Sequence, residues 1–237
     1  MSDQVKLKAQ DGHELAAYVA RPDGEPRGAV VVIQEIFGIN PHMRSVADGF
    51  AQQGYTAIAP SLFDRFERGV ELKYEGEDMQ KAFALMQKLD PQTALLDVAA
   101  AFEFLKGEQA KGIGVVGFCY GGFMTWLAAT RGEKVGMKPN CCIAYYPGGI
   151  GTVAKEQPSF PVMVHIGQAD THIGKDQIDA VREAHPEVQM FTYEGAGHGF
   201  NRVHEASYHE AAAKLAQQRT LDFLKSNIVL ATFVPTN

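Results

Sequence analysis

The sequence lacks any apolar run close to the roughly 20 residues that a membrane-spanning helix needs. Its N-terminal residues include no apolar stretch resembling a secretory signal, so we expect a cytoplasmic protein that does not contact a membrane. A basic excess is also missing, because 22 lysines and arginines stand against 28 acidic residues and the formal net charge is −6. Since a nucleic-acid-binding face needs clustered positive charge, nucleic acid is excluded as an expected partner.

Cysteine is scarce, with three residues in 237. Two of them, Cys141 and Cys142, are adjacent, and neighbouring cysteines rarely form a disulfide because its geometry is demanding. The odd number and the adjacency favour free thiols in a reducing compartment. The spacing matches no zinc site and no motif indicates an organic cofactor, so we expect neither. Cys141 and Cys142 lie in a predicted strand and are interpreted as core residues, which leaves Cys119 for chemistry.

Short β-branched runs alternate with helical repeats along the chain, which is typical of a mostly parallel sheet covered by helices on both faces. Residues 5–9 and 14–20 are expected to form an antiparallel hairpin at one sheet edge. Further strands are predicted at 29–33, 55–60, 113–117, 141–146, 162–166 and 189–193, and helices after Pro41 and at 78–89, 93–105, 121–130, 176–184 and 208–225. Residues 61–77 are predicted as a loop. The chain is therefore expected to be one α/β domain, residues 1–237, with about seven to eight strands and no lid.

Residues 117–121, Gly-Phe-Cys-Tyr-Gly, have the form G-x-C-x-G and lie between a predicted buried strand and a predicted helix. In that context the pattern indicates a nucleophile elbow, a strained turn whose glycines remove side chains that would collide with nearby backbone. The helix N-terminus directs free N–H groups and a positive dipole at the turn, which favours a thiolate at Cys119. The alternative is a small buried cysteine without chemistry, so the motif alone does not decide.

A nucleophile of this kind needs a base and an acid that orients it. Asp170 follows the strand predicted at 162–166, and His198 lies among glycines after the last predicted strand. In the α/β-hydrolase fold the acid and the histidine follow the nucleophile in this order, and ligands bind beyond the carboxyl ends of parallel strands. We therefore predict a triad of Cys119, His198 and Asp170, in preference to a helix cap at Asp170 and a turn histidine at position 198.

Residues 34–38, Gln-Glu-Ile-Phe-Gly, follow the first buried strand. The oxyanion hole of the fold takes one N–H from this loop and one from the residue after the nucleophile, so Ile36 and Tyr120 are the expected donors. Glu35 lies directly after an aliphatic run, where an unpaired charge is costly. It is therefore either the partner of a structural ion pair, with an arginine, or a titrating group near the thiol with a perturbed pKa.

From about residue 5 to residue 223 the chain resembles the dienelactone hydrolase (carboxymethylenebutenolidase) family of small lidless α/β-hydrolases. The resemblance rests on residues 34–38 and 117–122, on Asp170, and on Gly-His-Gly-Phe at 197–200. It implies hydrolysis of a lactone ring in a small unsaturated carboxylate, a step in bacterial aromatic degradation. Cys119 would attack the lactone carbonyl, and water activated by His198 would resolve the acyl-enzyme. Glu35 would take the thiol proton when substrate binds.

The resemblance also implies that Arg202, shortly after the catalytic histidine, clamps the substrate carboxylate. The alternative for Arg202 is an ordinary surface arginine. The family carries a second arginine in the helix after the 61–77 loop, and this chain has none there. Arg65 and Arg68 are the candidates for that role, and Phe37 and Tyr145 complete the expected substrate contacts.

Three functions are compatible with these residues. The first is a cysteine-dependent hydrolase, expected to be a monomer, acting on the lactone or ester bond of a small carboxylate. The second is a broad-specificity carboxylesterase or thioesterase on the same triad. The third is a ligand-binding or redox-sensing protein that keeps the fold, with Cys119 as the sensor. The third is disfavoured because a sensor needs neither Asp170 nor His198 at triad positions.

Overall fold

The computed structural model describes residues 2–230. Eight strands form one sheet, namely β1 (Ser2–Lys8), β2 (Glu14–Ala20), β3 (Gly28–Ile33), β4 (Tyr55–Pro60), β5 (Ile113–Phe118), β6 (Cys141–Tyr145), β7 (Val162–Gly167) and β8 (Gln189–Tyr193). The α-helices are α1 (Pro41–Gln52), α2 (Gly76–Met86), α3 (Pro91–Gly107), α4 (Tyr120–Arg131), α5 (Lys175–Ala184) and α6 (Glu210–Leu230). This arrangement confirms the predicted α/β-hydrolase fold class and the predicted strand number.

The strand order is β1-β2-β4-β3-β5-β6-β7-β8. Strands β1 and β2 form the predicted antiparallel edge hairpin, and every pair from β4 and β3 through β8 is parallel. The chain leaves β3 toward β4 on one side and later returns to β5 on the other side of β3. Such a switch point opens a crevice beyond the strand ends, because the loops after β3 and β5 diverge there.

The inner strands are apolar throughout because both faces of the sheet are covered. All residues of β3, β4, β5, β6 and β7 are buried. A Cβ at Gly114 would lie 2.5 Å from Leu224 of α6, whereas one at Gly117 would lie 2.4 Å from Thr125 of α4. Since these two glycines are three positions apart on one strand, α6 and α4 lie on opposite faces. Among the described residues no helix is both long and apolar enough to cross a membrane.

Element boundaries depart from the sequence pattern mainly near the charged segment after β4. A short 3₁₀ turn, Leu62–Arg65, lies inside the predicted 61–77 loop, and α2 starts and ends earlier than predicted. Gly76 at the start of α2 has φ +60°, a left-handed conformation that glycine adopts freely, so the chain turns into the helix there. Gly38 pairs with Glu71 in an isolated antiparallel bridge, which ties the segment to the loop after β3.

Candidate active site

Cys119 lies at the turn between β5 and α4 with φ 55° and ψ −116°. A non-glycine residue rarely adopts positive φ, and it persists only where the surroundings impose it. Here the Cys119 N–H donates to the Tyr145 carbonyl at 3.0 Å, and the Cys119 carbonyl accepts from the Phe123 N–H at 3.1 Å. These two bonds hold the strained turn, so the thiol is presented at the N-terminus of α4 beyond the end of the sheet.

The glycines around Cys119 are required by close backbone packing. A Cβ at Gly117 would lie 2.0 Å from the Gly121 carbonyl oxygen, and one at Gly121 would lie 2.2 Å from the Ile33 carbonyl oxygen. One at Gly122 would lie 2.6 Å from the Tyr145 carbonyl oxygen. Any side chain at these positions would therefore push α4 away from β3 and β6, which explains in steric terms why the elbow carries glycine on both sides of the cysteine.

The structure brings Cys119, Asp170 and His198 together from three strand ends. Asp170 follows β7, and its Oδ2 lies 2.8 Å from His198 Nδ1. Its other oxygen, Oδ1, accepts the His172 backbone N–H at 2.8 Å, so the fully buried carboxylate is held from both sides. His198, in the loop after β8, also interacts with the Cys119 thiol, which helps to raise the pKa of the imidazole. The imidazole thus lies between a buried carboxylate and a thiol.

Charge on His198 is stabilised by these two partners. Burial disfavours the imidazolium, but the interactions with Asp170 and Cys119 outweigh burial and raise the pKa of His198 to about 9. The pKa of Asp170 is lowered: burial acts to raise it, and the hydrogen bond to His198 outweighs burial. The site therefore favours a carboxylate beside an imidazolium.

The raised pKa predicts a loss of stability in base. Folded His198 holds its proton more tightly than an unfolded histidine, whose pKa is about 6.5. Its stabilisation is therefore complete below about pH 6.5 and is lost as pH rises through about 9. Urea unfolding near pH 6 and pH 10 is expected to show a larger fall in unfolding free energy for wild type than for His198→Asn.

The control for this measurement is His204→Asn. His204 is exposed and has φ 72°, a conformation that asparagine tolerates. This variant should follow the wild-type pH dependence. An equal fall in wild type and His198→Asn would contradict the argument.

Two backbone N–H groups, in the loop after β3 and at the start of α4, form no hydrogen bond in the described part of the chain. Within residues 2–230, neither the Ile36 N–H nor the Tyr120 N–H has a hydrogen-bond acceptor. Ile36 lies in the loop after β3, which is anchored by the Leu72 N–H donating to the Phe37 carbonyl at 2.9 Å. A Cβ at Gly38 would lie 1.9 Å from the Val70 carbonyl oxygen, so glycine permits this close anchoring. Backbone N–H groups that are held in place without an acceptor could donate hydrogen bonds to an oxyanion and stabilise its charge.

Glu35 is paired with Arg202. The guanidinium Nε lies 3.0 and 3.2 Å from the two carboxylate oxygens of Glu35, and Nη2 lies 2.9 Å from Oε1. Tyr74 donates its hydroxyl to Oε2 at 2.9 Å, and Tyr146 donates to Oε1 at 3.3 Å. Burial acts to raise the pKa of Glu35, but Arg202 outweighs burial and the pKa is lowered. Of the two sequence interpretations of Glu35, the contacts favour the ion pair with an arginine.

The pair is buried, which contradicts the alternative of a surface arginine at position 202. Glu35 is 0% exposed and Arg202 9% exposed. A Cβ at Gly199 would lie 2.5 Å from Arg202 Cζ, so the glycine after His198 gives the guanidinium room to fold back under the loop. Tyr74 covers the guanidinium, with its ring centre 4.5 Å from Cζ.

Removing one member of the pair is expected to destabilise the fold strongly. Glu35→Ala leaves the Arg202 charge buried and unpaired, which costs about 3–5 kcal/mol in urea unfolding. The double variant Glu35→Leu with Arg202→Met should lose less unfolding free energy than Glu35→Ala, because it buries no charge. Glu67→Ala is the control, since its pair with Lys81 is exposed and contributes below about 1 kcal/mol. A double variant as unstable as Glu35→Ala would refute this account.

Arg65 and Arg68 are not brought to the triad. Arg65 donates through Nε and Nη2 to Asp97 of α3 at 2.7 and 2.8 Å, and through Nη1 to Asp11 at 2.8 Å. Arg68 donates to the Glu14 carbonyl at 2.9 Å, and its side chain is exposed. Both guanidiniums thus lie at the β1–β2 hairpin and at α3, where carboxylate and carbonyl oxygens accept their hydrogen bonds.

Phe37 and Tyr145, the other expected substrate contacts, are almost completely buried. The Phe37 ring packs on Tyr74 at 4.4 Å between centres. Tyr145 shares a hydrogen bond of 2.7 Å with the Thr220 hydroxyl of α6, so its polar tip is turned into the core. Phe37 therefore packs beside Tyr74, which covers the Glu35–Arg202 pair. Tyr145 anchors the carboxyl end of β6 to α6.

Tyr74 and Tyr146 belong to the site and were missed at the sequence level. Tyr146 has φ 36°, its hydroxyl lies between Glu35 Oε1 and Asn201 Oδ1, and its ring centre lies 4.8 Å from that of His198. His172 is exposed, with its ring centre 4.7 Å from that of His198. The available signal for Tyr146 was its position at the end of a strand. Tyr74 had no such signal, because it lies in an aperiodic loop.

One group of side chains could in geometric terms hold a cation. Asp170, His172 and His198 each offer a ligand atom within 4.8 Å of the others. Both Asp170 oxygens and His198 Nδ1 already form hydrogen bonds, Oδ1 with the His172 N–H and Oδ2 with His198 Nδ1. A cation would have to displace those bonds.

A nucleophile elbow after one parallel strand, an acid after a later strand and a histidine after the last strand define an α/β-hydrolase. The chain belongs to the dienelactone hydrolase family, whose model matches residues 15–228. It is a carboxylic ester hydrolase, acting on ester or lactone bonds.

Curated and solved relatives agree with the assignment. The carboxymethylenebutenolidase of Pseudomonas putida is 31% identical over 232 residues, covering 94% of this chain and 96% of its own. The crystal structure of a provisionally named dienelactone hydrolase from Klebsiella pneumoniae subsp. pneumoniae superposes with a TM-score of 0.83 at 28% identity, covering 95% and 98% of the two chains. A dienelactone hydrolase-like promiscuous phosphotriesterase from metagenomic libraries, 18% identical, shares the fold with a TM-score of 0.76 over 95% of this chain and 98% of its own.

Proposed function

We propose that the chain hydrolyses the lactone or ester bond of a small carboxylate through a Cys119 acyl-enzyme. The observation that carries this proposal is the position of His198 at the carboxyl ends of parallel strands, where it is hydrogen-bonded to Asp170 and interacts with the Cys119 thiol. The name of one relative, carboxymethylenebutenolidase, supplies the substrate class, a butenolide-type lactone.

The proposed acylation begins with attack of the Cys119 thiolate on the ester carbonyl carbon. The carbonyl oxygen becomes an oxyanion, which the Ile36 and Tyr120 N–H groups stabilise. The carbon–oxygen bond to the leaving group then breaks, and the His198 imidazolium gives its proton to the departing oxygen. Asp170 stabilises the imidazolium and holds its tautomer. In a lactone the leaving oxygen stays tethered within the acyl chain.

Deacylation uses the same groups in reverse roles. Neutral His198 takes a proton from water, and the hydroxide oxygen attacks the thioester carbonyl. The carbon–sulfur bond breaks, the acid product leaves, and the thiolate is restored beside the imidazolium. No group outside the chain and water is consumed.

Arg202 is proposed to bind the substrate carboxylate, and Glu35 competes with that carboxylate for the guanidinium. Within the described residues Glu35 contacts Arg202, Tyr74 and Tyr146 and has no hydrogen bond to Cys119. A substrate carboxylate that binds the guanidinium would displace Glu35. The family resemblance implies that the freed Glu35 takes the Cys119 proton and so forms the thiolate that begins acylation. His198 keeps its own proton for the leaving oxygen, and Glu35 returns its proton to Cys119 after deacylation. The ligand must therefore compete with an internal carboxylate for the same arginine.

The second candidate is a broader carboxylesterase or thioesterase. The specific observation in its favour is that Arg65 and Arg68 bind elsewhere and Arg202 is already neutralised. Such a site would discriminate weakly in favour of anionic substrates.

The rates for a dienelactone and for p-nitrophenyl acetate separate the two candidates. A carboxylate clamp of one charge-assisted pair predicts a kcat/KM about 10-fold to 100-fold higher for the dienelactone. Intact-mass spectrometry of a quenched reaction should show one acyl group on Cys119. Equal rates, or a preference for the acetate, would favour the broad esterase, and the absence of any turnover or acyl adduct would reject both.

A further inference from the structure

A cavity that is open to solvent on one side and separate from the triad lies on the face of the sheet covered by α1 and α6. Its volume is about 180 Å³, and it is bounded by α1, α6, the ends of β5 and β6 and the loop that follows His198. None of the described residues that line it belongs to the triad. An apolar protein cavity of about 150 Å³ is large enough to hold benzene, so this space accepts one six-membered ring.

The walls of this cavity are suited to a flat apolar ring. Phe50 of α1, Phe118 of β5, Tyr145 of β6 and Tyr208 of the loop contribute aromatic faces or edges, and Val46 closes one side. Aromatic pairs prefer offset or edge-to-face contacts with an inserted ring, which several walls at different angles can provide.

The charged and polar groups of the cavity point to an anionic substituent. Among the described lining residues Lys214 carries the single charged group, and no carboxylate lines the space. Lys214 does contact Glu210 at 2.6 Å, but both side chains are mainly exposed, so this pair is weak and its ammonium can be shared with a ligand.

His42 supplies a second polar anchor. Its Nε2 is buried and has no hydrogen-bond partner in the described part of the chain, although buried polar atoms in proteins are normally paired. His42 lines the cavity, and burial lowers the pKa of its ring. The neutral imidazole can therefore donate one hydrogen bond to a ligand oxygen.

We propose that this cavity is a second small-molecule site, distinct from the triad, that binds a monocyclic aromatic carboxylate. The ring occupies the space between α1 and α6, and the carboxylate lies toward Lys214. This inference concerns binding alone and does not depend on the substrate of the triad.

The test is calorimetric titration of the full chain with benzoate, before and after alkylation of Cys119 with iodoacetamide. Cys141 and Cys142 are 0% exposed, so the reagent is directed to Cys119. Benzoate is expected to bind with equal affinity before and after alkylation, because its site is separate from the thiol. Binding that disappears on alkylation would place benzoate in the active site and overturn the proposal.

Gly49→Leu is the variant that fills the cavity. Gly49 lies inside α1 and lines the space, and a Cβ there meets no atom within 4 Å. Leucine also has the higher helix propensity, so the variant should fold, as circular dichroism can verify. We expect at least a tenfold loss of benzoate affinity. Gly107→Leu is the matched control, since Gly107 ends α3 in open space and does not line the cavity, and it should bind benzoate like wild type.

A second pair of measurements tests the charge assignment. Lys214→Ala on the exposed face of α6 should weaken benzoate binding severalfold, and benzylamine should bind wild type at least tenfold more weakly than benzoate. If millimolar benzoate gives no heat with wild type, or if Gly49→Leu binds it unchanged, the cavity is not a site for this ligand class and the proposal fails.

Discussion

Cys119→Ala is expected to lower kcat for ester hydrolysis by roughly 10⁴-fold to 10⁶-fold. The variant removes the atom that forms the acyl-enzyme in the proposed mechanism, while the proposed oxyanion donors, the Ile36 and Tyr120 N–H groups, remain. The residual rate should therefore still exceed that of water alone, because an oxyanion hole and binding contribute without a nucleophile. Steady-state hydrolysis of p-nitrophenyl acetate, with intact-mass analysis for the acyl adduct, measures both effects.

Cys119→Ser sharpens this prediction. A serine hydroxyl is a far weaker acid than a thiol, and the imidazolium at His198 favours an anion on its partner, which serine cannot supply. We expect a loss of about 100-fold or more in kcat. Cys141→Ala is the matched control, because this thiol is buried in β6 and should be replaceable without change in kcat. A serine variant as fast as wild type would show that thiolate character is not what the site uses.

Asp170→Asn is expected to lower kcat by about 10⁴-fold. The amide can keep the geometry, but it donates a hydrogen bond to His198 Nδ1 and thereby favours the tautomer that cannot take a proton from Cys119. The negative charge that supports the raised pKa of His198 is lost as well. Both the magnitude of kcat/KM and its dependence on pH should therefore change.

Asp97→Asn serves as the control for a buried carboxylate without a catalytic role. Asp97 is 0% exposed and is paired with Arg65, so its loss should reduce stability. We expect kcat of folded Asp97→Asn to equal that of wild type in the same assay. If both variants lost activity to the same extent, the effect of Asp170→Asn would be one of stability and the triad assignment would fail.

Much of the fold, and the contact between Asp170 and His198 beyond the strand ends, could be predicted from the sequence for local and topological reasons. Continuous apolar runs mark strands that are buried on both faces, and a glycine on each side of Cys119 marks a turn where any Cβ would meet backbone. The order of Cys119, Asp170 and His198 behind successive parallel strands brings them to one edge of the sheet, because parallel strands all end there.

The choice of partners was decided by the tertiary structure alone. Arg202 and Glu35 are 167 residues apart and meet because the loops after β3 and β8 converge, and no pattern in either segment specifies that contact. Arg65 is drawn to Asp97 and Asp11 by the same rule, that a guanidinium binds the nearest carboxylates. The hydrophobic pattern of a strand and the need for glycine at a tight turn depend on a few neighbouring residues, so both can be inferred from the sequence. Ion pairing and the space between α1 and α6 depend on distances across the fold, which the order of residues does not contain.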